Sequence, residues 1–401
     1  MNQLPHRYVF ILGSHPELSF AELEALLQQT FASEYRLEQS GSLAFVSTTT
    51  PIDAPTLMNH LGGTIKIAKL ISEYTEDTLI DWLFEQIHTA TKFHFGFSLY
   101  TLPGVSLKPH AELRKLHLLG LAIKRSLKQN SISCRFVASK ELTLSSVIVH
   151  KERLLKNGVD IVLLKGIHNT EFGKTLAVQP FQAFSKRDYG RPNRDHHSGM
   201  LPPKVARMMV HIAQPKKESV ILDPFCGSGT ILQEALLLGY THVIGSDISS
   251  KAVEDTKQNL AWLRLPSIHL YTEDAQHLVH HHKLALHSID RIVFEGYLGE
   301  PRPNDQRIPF IIQHLNELYT NVFTELIPLL RMNGRIVAAL PFWHTIKKEY
   351  HLNIQKMTQS AHVILQKKPL LYRRPQSTVG REIIIVEPAI LEEKVPKIEK
   401  K

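Results

Sequence analysis

The chain has 401 residues, 43% hydrophobic and 21% charged, with 47 Lys and Arg against 38 Asp and Glu for a formal charge of +9. This composition excludes disordered and fibrous proteins and allows two or three domains of roughly 100–200 residues each. Two cysteines, Cys134 and Cys226, are too few for a disulfide scaffold and favour a reducing, cytoplasmic compartment, and no apolar run reaches the ~18 residues of a membrane span.

Tyr8-Val9-Phe10-Ile11-Leu12 is a β-prone run ending at Gly13, too short for the apolar core of a signal peptide. Ser19-Phe20-Ala21-Glu22 has the form of a capping box, so a helix is expected to begin there, with Phe20, Leu23, Leu26 and Leu27 at helical spacing. A mixed α/β stretch continues to about Lys165, with short strands at Arg135–Ala138 and Asp160–Leu164. Its clearest helix runs from Ala111 to Lys128. Leu113, Leu116, Ile123 and Leu127 form the apolar face, and Arg114, Lys115, Lys124, Arg125 and Lys128 lie elsewhere on the cylinder. Such cations are ordinarily a solvated face; with an overall excess of positive charge they are also candidate RNA contacts. From Phe184 to Pro203 the chain carries Lys186, Arg187, Arg191 and Arg194 among three prolines and two glycines. This is loop chemistry and predicts a domain junction, with Lys186, Arg187 and Arg191 as further RNA candidates. A helix is expected from Pro202-Pro203 through Val205, Met208, Met209 and Ile212.

Beyond Ser219, strands and helices alternate. Strands are expected at Val220–Asp223, His242–Asp247, Ile268–Tyr271, Arg291–Glu295, Arg335–Leu340, His362–Gln366 and Arg381–Val386, with helices at 229–238, 250–263, 308–330 and 345–358. That alternation predicts an α/β fold with a seven-stranded, mostly parallel, Rossmann-like sheet, closed at one edge by an antiparallel hairpin. Leu391–Lys401 alternates charge and reads as a disordered tail.

The segment Asp223-Pro224-Phe225-Cys226-Gly227-Ser228-Gly229-Thr230 follows the first of these strands. Its glycines permit a tight turn, and the following helix offers unpaired N–H groups to a ligand at the carboxyl ends of the strands. A P-loop is excluded because no lysine follows Gly229, and a dinucleotide fingerprint fails at Leu232. An acid ahead of the glycines repels pyrophosphate but suits the sulfonium and ammonium groups of S-adenosylmethionine. Asp247, with Ile248 beside it, ends the second strand, where a carboxylate can accept both ribose hydroxyls. Asp274, past the third strand, can accept from an adenine amino group, with Ala275 leaving room for the ring. Cys226 has no neighbouring base and reads as a packing residue. His280-His281-His282 reads as a solvated turn, and no metal site is predicted.

The run from Asp223 to Ala235 closely resembles the motif of the THUMP-domain RNA guanosine-N2 methyltransferases, best of all the tRNA guanosine-10 N2-methyltransferase group. Tyr8–Leu27 is similar to that group's amino-terminal domain, and Arg191-Pro192 through Gly199-Met200-Leu201-Pro202-Pro203-Lys204 to the stretch leading into its catalytic domain. The resemblance implies a ferredoxin-like domain over 1–60, a THUMP-like RNA-binding domain over 61–170, a linker over 171–205 and a methyltransferase domain over 206–390. It also implies S-adenosylmethionine as cofactor and tRNA as partner; a small activator subunit accompanies some relatives. The family's catalytic signature is Asp/Asn-Pro-Pro-Tyr/Phe, and this chain departs from it with Glu295-Gly296-Tyr297-Leu298. Glu295 then aligns with the signature acid, Gly296 with the first proline, and Tyr297 is left to supply the ring. A carboxylate and a backbone carbonyl can still hold an exocyclic amine with its lone pair aimed at a methyl group, because geometry outweighs base strength here. Two other readings stay open: an amino-methyltransferase acting on DNA adenine or ribosomal RNA, and a noncatalytic RNA-binding protein that keeps the methyltransferase fold.

Overall fold

The computed structural model describes residues 5–31, 35–87, 92–194, 200–281, 283–300, 303–346 and 348–389, and the chain divides into two compact units, Met1–Tyr189 and Gly190–Lys401. The expected tail at 391–401, Gly199 and His282 lie outside the described residues.

Unit 1 begins with β1 (His6–Leu12), α1 (Pro16–Phe31), β2 (Tyr35–Ser40), β3 (Leu43–Thr48), α2 (Ala54–His60) and β4 (Thr64–Glu73). It continues with α3 (Glu76–Glu85), β5 (Phe93–Thr101), α4 (Pro109–Gln129), β6 (Cys134–Val137), α5 (Ser146–Lys151), β7 (Gly158–Lys165), β8 (Thr170–Val178) and α6 (Phe181–Tyr189). Its strands form one eight-stranded sheet in the order β2-β3-β1-β4-β8-β7-β5-β6. The division expected at residue 60 is therefore not a break between compact units: β4 pairs with β1 on one side and β8 on the other. Residues 171–178, expected in a linker, are a sheet strand for the same reason.

The capping box also gives way. Helix α1 opens three residues earlier, at Pro16, whose fixed φ suits a first turn. Ser19 lies inside the helix and donates its hydroxyl to the His15 carbonyl at 2.9 Å. Glu22 is fully buried and accepts the Gly62 and Gly63 N–H groups, each at 2.7 Å, which ties the helix to the turn before β4. A carboxylate so buried is stable only with such partners.

Unit 2 contains α7 (Pro203–Ile212), β9 (Ile221–Asp223), α8 (Thr230–Leu237), β10 (Val243–Asp247), α9 (Ser250–Trp262), β11 (His269–Thr272) and β12 (Ile289–Glu295). Then follow α10 (Ile308–Leu326), β13 (Leu330–His344), β14 (Glu349–Tyr350), α11 (Ile354–Ser360), β15 (Val363–Leu365), β16 (Leu370–Tyr372) and β17 (Val379–Pro388). The sheet runs β11-β10-β9-β12-β13-β17-β15, with β14 and β16 pairing off that path. Its seven-membered path matches the seven expected strands, and β15 and β17 form the expected antiparallel edge. The helix expected at 345–358 is a correction: Glu349–Tyr350 is the short strand β14, paired to β13, and the helix there is Ile354–Ser360. Asn353 caps that helix by accepting the Lys356 N–H. Helix α10 turns Ile308, Ile311, Leu315, Tyr319, Val322 and Leu326 into the core at helical spacing, covering β12 and β13. The strand order reverses between β9, which leads leftward to β10, and β12, on its other side. A crevice at that switch point is where open α/β sheets bind ligands.

Candidate active site

Four acids follow four adjacent strands at this crevice: Asp247 ends β10, Asp223 ends β9, Glu295 ends β12, and Asp274 lies just past β11. The turn after β9 is closed by its own backbone. Gly229 donates to the Cys226 carbonyl at 2.7 Å and Cys226 donates to the Ser246 carbonyl at 2.8 Å. Gly229 has φ +84°, and a Cβ there would meet the Thr256 side chain at 2.9 Å, so only glycine fits. Asp247 accepts the Gly227 N–H through Oδ2 and the Ser249 N–H through Oδ1, each at 2.9 Å. Each carboxylate oxygen keeps further acceptor capacity, so Asp247 can shape the turn and still receive a ribose hydroxyl.

Asp223 is buried and accepts the Phe225 N–H at 3.1 Å. Burial pushes its carboxyl well above the ordinary range, and the charges of Asp247 and Glu295 push the same way. A cationic ligand in the crevice would relieve that penalty, which fits a sulfonium- and ammonium-bearing cofactor. Ile248, just past the end of β10, is 71% exposed. Ala275 is buried in the core beside Asp274, whose Oδ1 accepts the Gln276 N–H at 2.9 Å. Phe225 stacks on Phe294 of β12, ring centroids 5.3 Å apart, and so joins the glycine turn to the fourth strand. Ser228 carries a carbonyl that accepts Asn259 Nδ2 at 2.9 Å. The Cys226 thiol is buried and pushed well above its ordinary value, first by burial and then by Asp223 and Asp247, which suits packing and not nucleophilic chemistry.

The departure after β12 has a clear local structure. Glu295 pairs with Ala339 of β13, and Gly296 donates to the Ala339 carbonyl at 3.0 Å, a bond that proline could not make. A Cβ on Gly296 would lie 2.3 Å from the Tyr319 hydroxyl, so this position also excludes larger residues. That hydroxyl donates to the Tyr297 carbonyl at 2.6 Å, while the Tyr297 ring is 54% exposed and available to a flat partner. The Tyr319 phenol is pushed well above its ordinary value by burial, with the Glu295 charge acting in the same direction. Glu295 itself accepts from Arg381 Nε of β17 at 2.7 Å. Sequence reasoning missed both Arg381 and Tyr319. The available signal was a basic residue opening the last strand, at the end that an antiparallel strand brings to the carboxyl side of its neighbours.

The RNA candidates divide. Arg114, Lys115, Arg125 and Lys128 are exposed on α4, Lys124 is half-buried there, and Lys186 is exposed on α6. Lys115 is paired with Glu112 at 3.1 Å. Arg187 and Arg191 are corrections. Arg187 is buried with its guanidinium 4.6 Å from the Phe184 ring centre. Arg191 is buried within unit 2 and donates to Thr230 Oγ1 at 2.7 Å, beside the glycine turn. Sequence reasoning missed a cleft of about 470 Å³ in unit 1 that gathers Lys92, Arg135, Lys151 and Arg153, with Glu152 its one acid. His281 pairs with Glu273 at 3.0 Å, and no group of three or more metal-ligating side chains is found among the described residues.

Unit 2 is thus a doubly wound α/β domain of the methyltransferase kind, with its acids and glycine turn at the switch point. Comparison with known proteins agrees. Residues 191–368 match the family model described as "RMKL-like, methyltransferase domain", and 119–258 match one described as "DNA methylase". The chain is 39% identical over 106 residues to a tRNA (guanine(10)-N2)-dimethyltransferase of Methanothermobacter thermautotrophicus, covering 26% of this chain and 31% of that protein. It is 32% identical over 163 residues to the protein of the same name from Methanocaldococcus jannaschii, covering 39% and 43%. The chain therefore aligns with less than half the length of either relative. The crystal structure of TrmN from Thermus thermophilus shares the fold, with a TM-score of 0.55 at 15% identity over 96% of this chain and 100% of that one. Among the described residues no helix is long and apolar enough to cross a membrane.

Proposed function

We propose that the chain transfers a methyl group from S-adenosylmethionine to the exocyclic N2 amine of a guanosine in tRNA, at position 10, in the cytoplasm. The observation that carries this reading is the set of acids at the carboxyl ends of four adjacent strands around the glycine turn. The cofactor would lie between Asp223, Asp247, Ile248 and Asp274, and when bound it supplies an electrophilic methyl group on sulfur. Glu295 and the Gly296-Tyr297 backbone would receive the amine N–H groups and aim the lone pair at the methyl carbon. The transfer would form the N–C bond as the S–C bond breaks, the S–C electron pair staying on sulfur and the amine proton leaving to water. Tyr297 would stack on the base, which must leave its helix to reach the pocket. Unit 1 would hold the tRNA, as the ferredoxin-like and THUMP-like parts that the resemblance implies, through its exposed cations on α4 and in the basic cleft.

The test is methyl transfer from labelled S-adenosylmethionine to bulk tRNA, and in parallel to DNA and ribosomal RNA, by the full chain alone, with the label mapped by nuclease digestion and mass spectrometry. N2-methylated guanosine at position 10 is the expected product. Label in DNA adenine or ribosomal RNA would replace this reading with the amino-methyltransferase alternative suggested by the DNA methylase match. Cofactor binding without transfer, even with a relative's activator subunit added, would leave a noncatalytic RNA-binding protein.

A further inference from the structure

Glu295 occupies the position of the signature acid, but it is neither the usual residue nor held in the usual way. It is followed by Gly296, whose N–H extends the ladder between β12 and β13 by one bond to Ala339. The stiffness that consecutive prolines give a loop is absent here. Glutamate also carries one more rotatable bond than aspartate, so its carboxylate needs an external constraint. One is present. Arg381, on β17 and paired with Pro341 of β13, donates Nε to Glu295 Oε1 at 2.7 Å. The two side chains are 5% and 17% exposed, so the pair is largely withdrawn from water. Among the described residues no other side chain bonds Glu295, which leaves Oε2 for a further donor.

The charge balance of the crevice points the same way. Asp223, Asp247 and Glu295 face one another closely enough that the latter two both raise the Asp223 carboxyl. A third unopposed carboxylate in this site would repel the other two. Arg381 offsets that repulsion and fixes one oxygen of the carboxylate.

We propose that Arg381 is a positioning residue for methyl transfer, clamping Glu295 by Oε1 so that Oε2 is presented to the target amine. This assignment rests on the proposed methyltransferase function. It gives the Glu-Gly sequence a physical logic: ladder pairing at Gly296 and an arginine clamp from β17 replace the rigidity of a proline loop.

The experiment is a double-mutant cycle on the full chain, reading kcat and KM for tRNA and Kd for S-adenosylmethionine. Arg381→Met should lower kcat by about ten- to a hundredfold while KM and Kd move less than about threefold, because the clamp acts on the reacting geometry. Arg381→Lys keeps the charge but loses the planar donor, so it should recover only part of the rate. In a Glu295→Gln background, Arg381→Met should cost less than about threefold, since the charged partner is already gone. Equal losses in both backgrounds would assign Arg381 to fold maintenance and overturn the proposal, as would full activity of Arg381→Met. If Arg381→Met does not fold, Arg381→Lys carries the same cycle, with the same two overturning results. A wild-type chain that binds cofactor but methylates no tRNA would instead remove the underlying reading.

Discussion

The turn after β9 and the loop after β12 stand side by side at the ends of adjacent strands, yet they are held by different kinds of interaction. In the Asp223–Thr230 turn, Gly229 closes on Cys226, and Asp247 and Thr256, on β10 and α9 next in the chain, bind Gly227. In the Glu295–Gly299 loop the partners come from three separate elements: Ala339 on β13, Tyr319 on α10, and Arg381 on β17, 86 residues from Glu295. Each contains a glycine at positive φ, Gly229 at +84° and Gly299 at +81°, but among the described residues only the first closes on its own backbone. The second is held through tertiary partners, and a loop held that way can exchange its sequence if its neighbours supply the constraint.

The strongest way to break this comparison is to remove the acid that the second loop presents. Glu295→Ala should lower kcat by about 10²–10³, the scale of losing one positioned group, with S-adenosylmethionine Kd unchanged by calorimetry. Glu295→Asp shortens the reach by one methylene and draws the carboxylate away from Arg381, so it should fall between wild type and Ala. An aspartate variant faster than wild type would show that the loop still favours the family's usual acid.

The complementary cut is Asp247→Ala on the other side of the crevice. It removes the acceptor proposed for the ribose and also the one that holds the Gly227 N–H. Cofactor binding should weaken by ~1.5–3 kcal/mol, the scale of hydrogen bonds to a charged group, while kcat at saturating cofactor changes little. Asp247→Asn keeps one acceptor oxygen and should lie between. An unchanged Kd in a folded Ala variant would remove Asp247 from the cofactor site.

What the sequence disclosed follows the same division. Seven of the nine sheet strands of unit 2 were readable because alternating apolar runs and helices carry a periodicity that local residues determine. Asp223, Asp247 and the glycine turn were readable because that turn requires those residue types. The start of α1 was not: Ser19 and Glu22 have capping-box spacing, but Glu22 serves the Gly62 and Gly63 amides about 40 residues away. Strand β14 was read as helix because a two-residue strand has no periodicity of its own and exists through pairing with Trp343 and His344. Arg187 was read as a surface cation because a loop was expected where α6 sets it three residues from Phe184 on one helix, and Arg191 because its bond to Thr230 is a tertiary fact. Arg381 was missed because its one signal, a basic residue near the start of a strand, gains meaning only when β13 and β17 bring it to Glu295.

The gentlest probe of the tertiary-held loop is Tyr319→Phe. The Tyr319 side chain is fully buried in the core of unit 2, and Phe keeps its ring packing while deleting only the hydroxyl. What is lost is the 2.6 Å bond to the Tyr297 carbonyl, which ties the loop to α10. A net loss of about 1 kcal/mol in stability is expected, seen as a lower urea midpoint at unchanged m. Because Tyr297 is the ring proposed to hold the base, KM for tRNA should rise a few-fold and cofactor Kd should stay constant. A Cβ on Gly296 would still meet the retained ring carbons at 2.6 and 2.7 Å, so Gly296→Ala should remain damaging in the Phe background as in wild type. A parallel fall in cofactor affinity would show that the two loops are coupled through the Phe225–Phe294 stack and are not independently held.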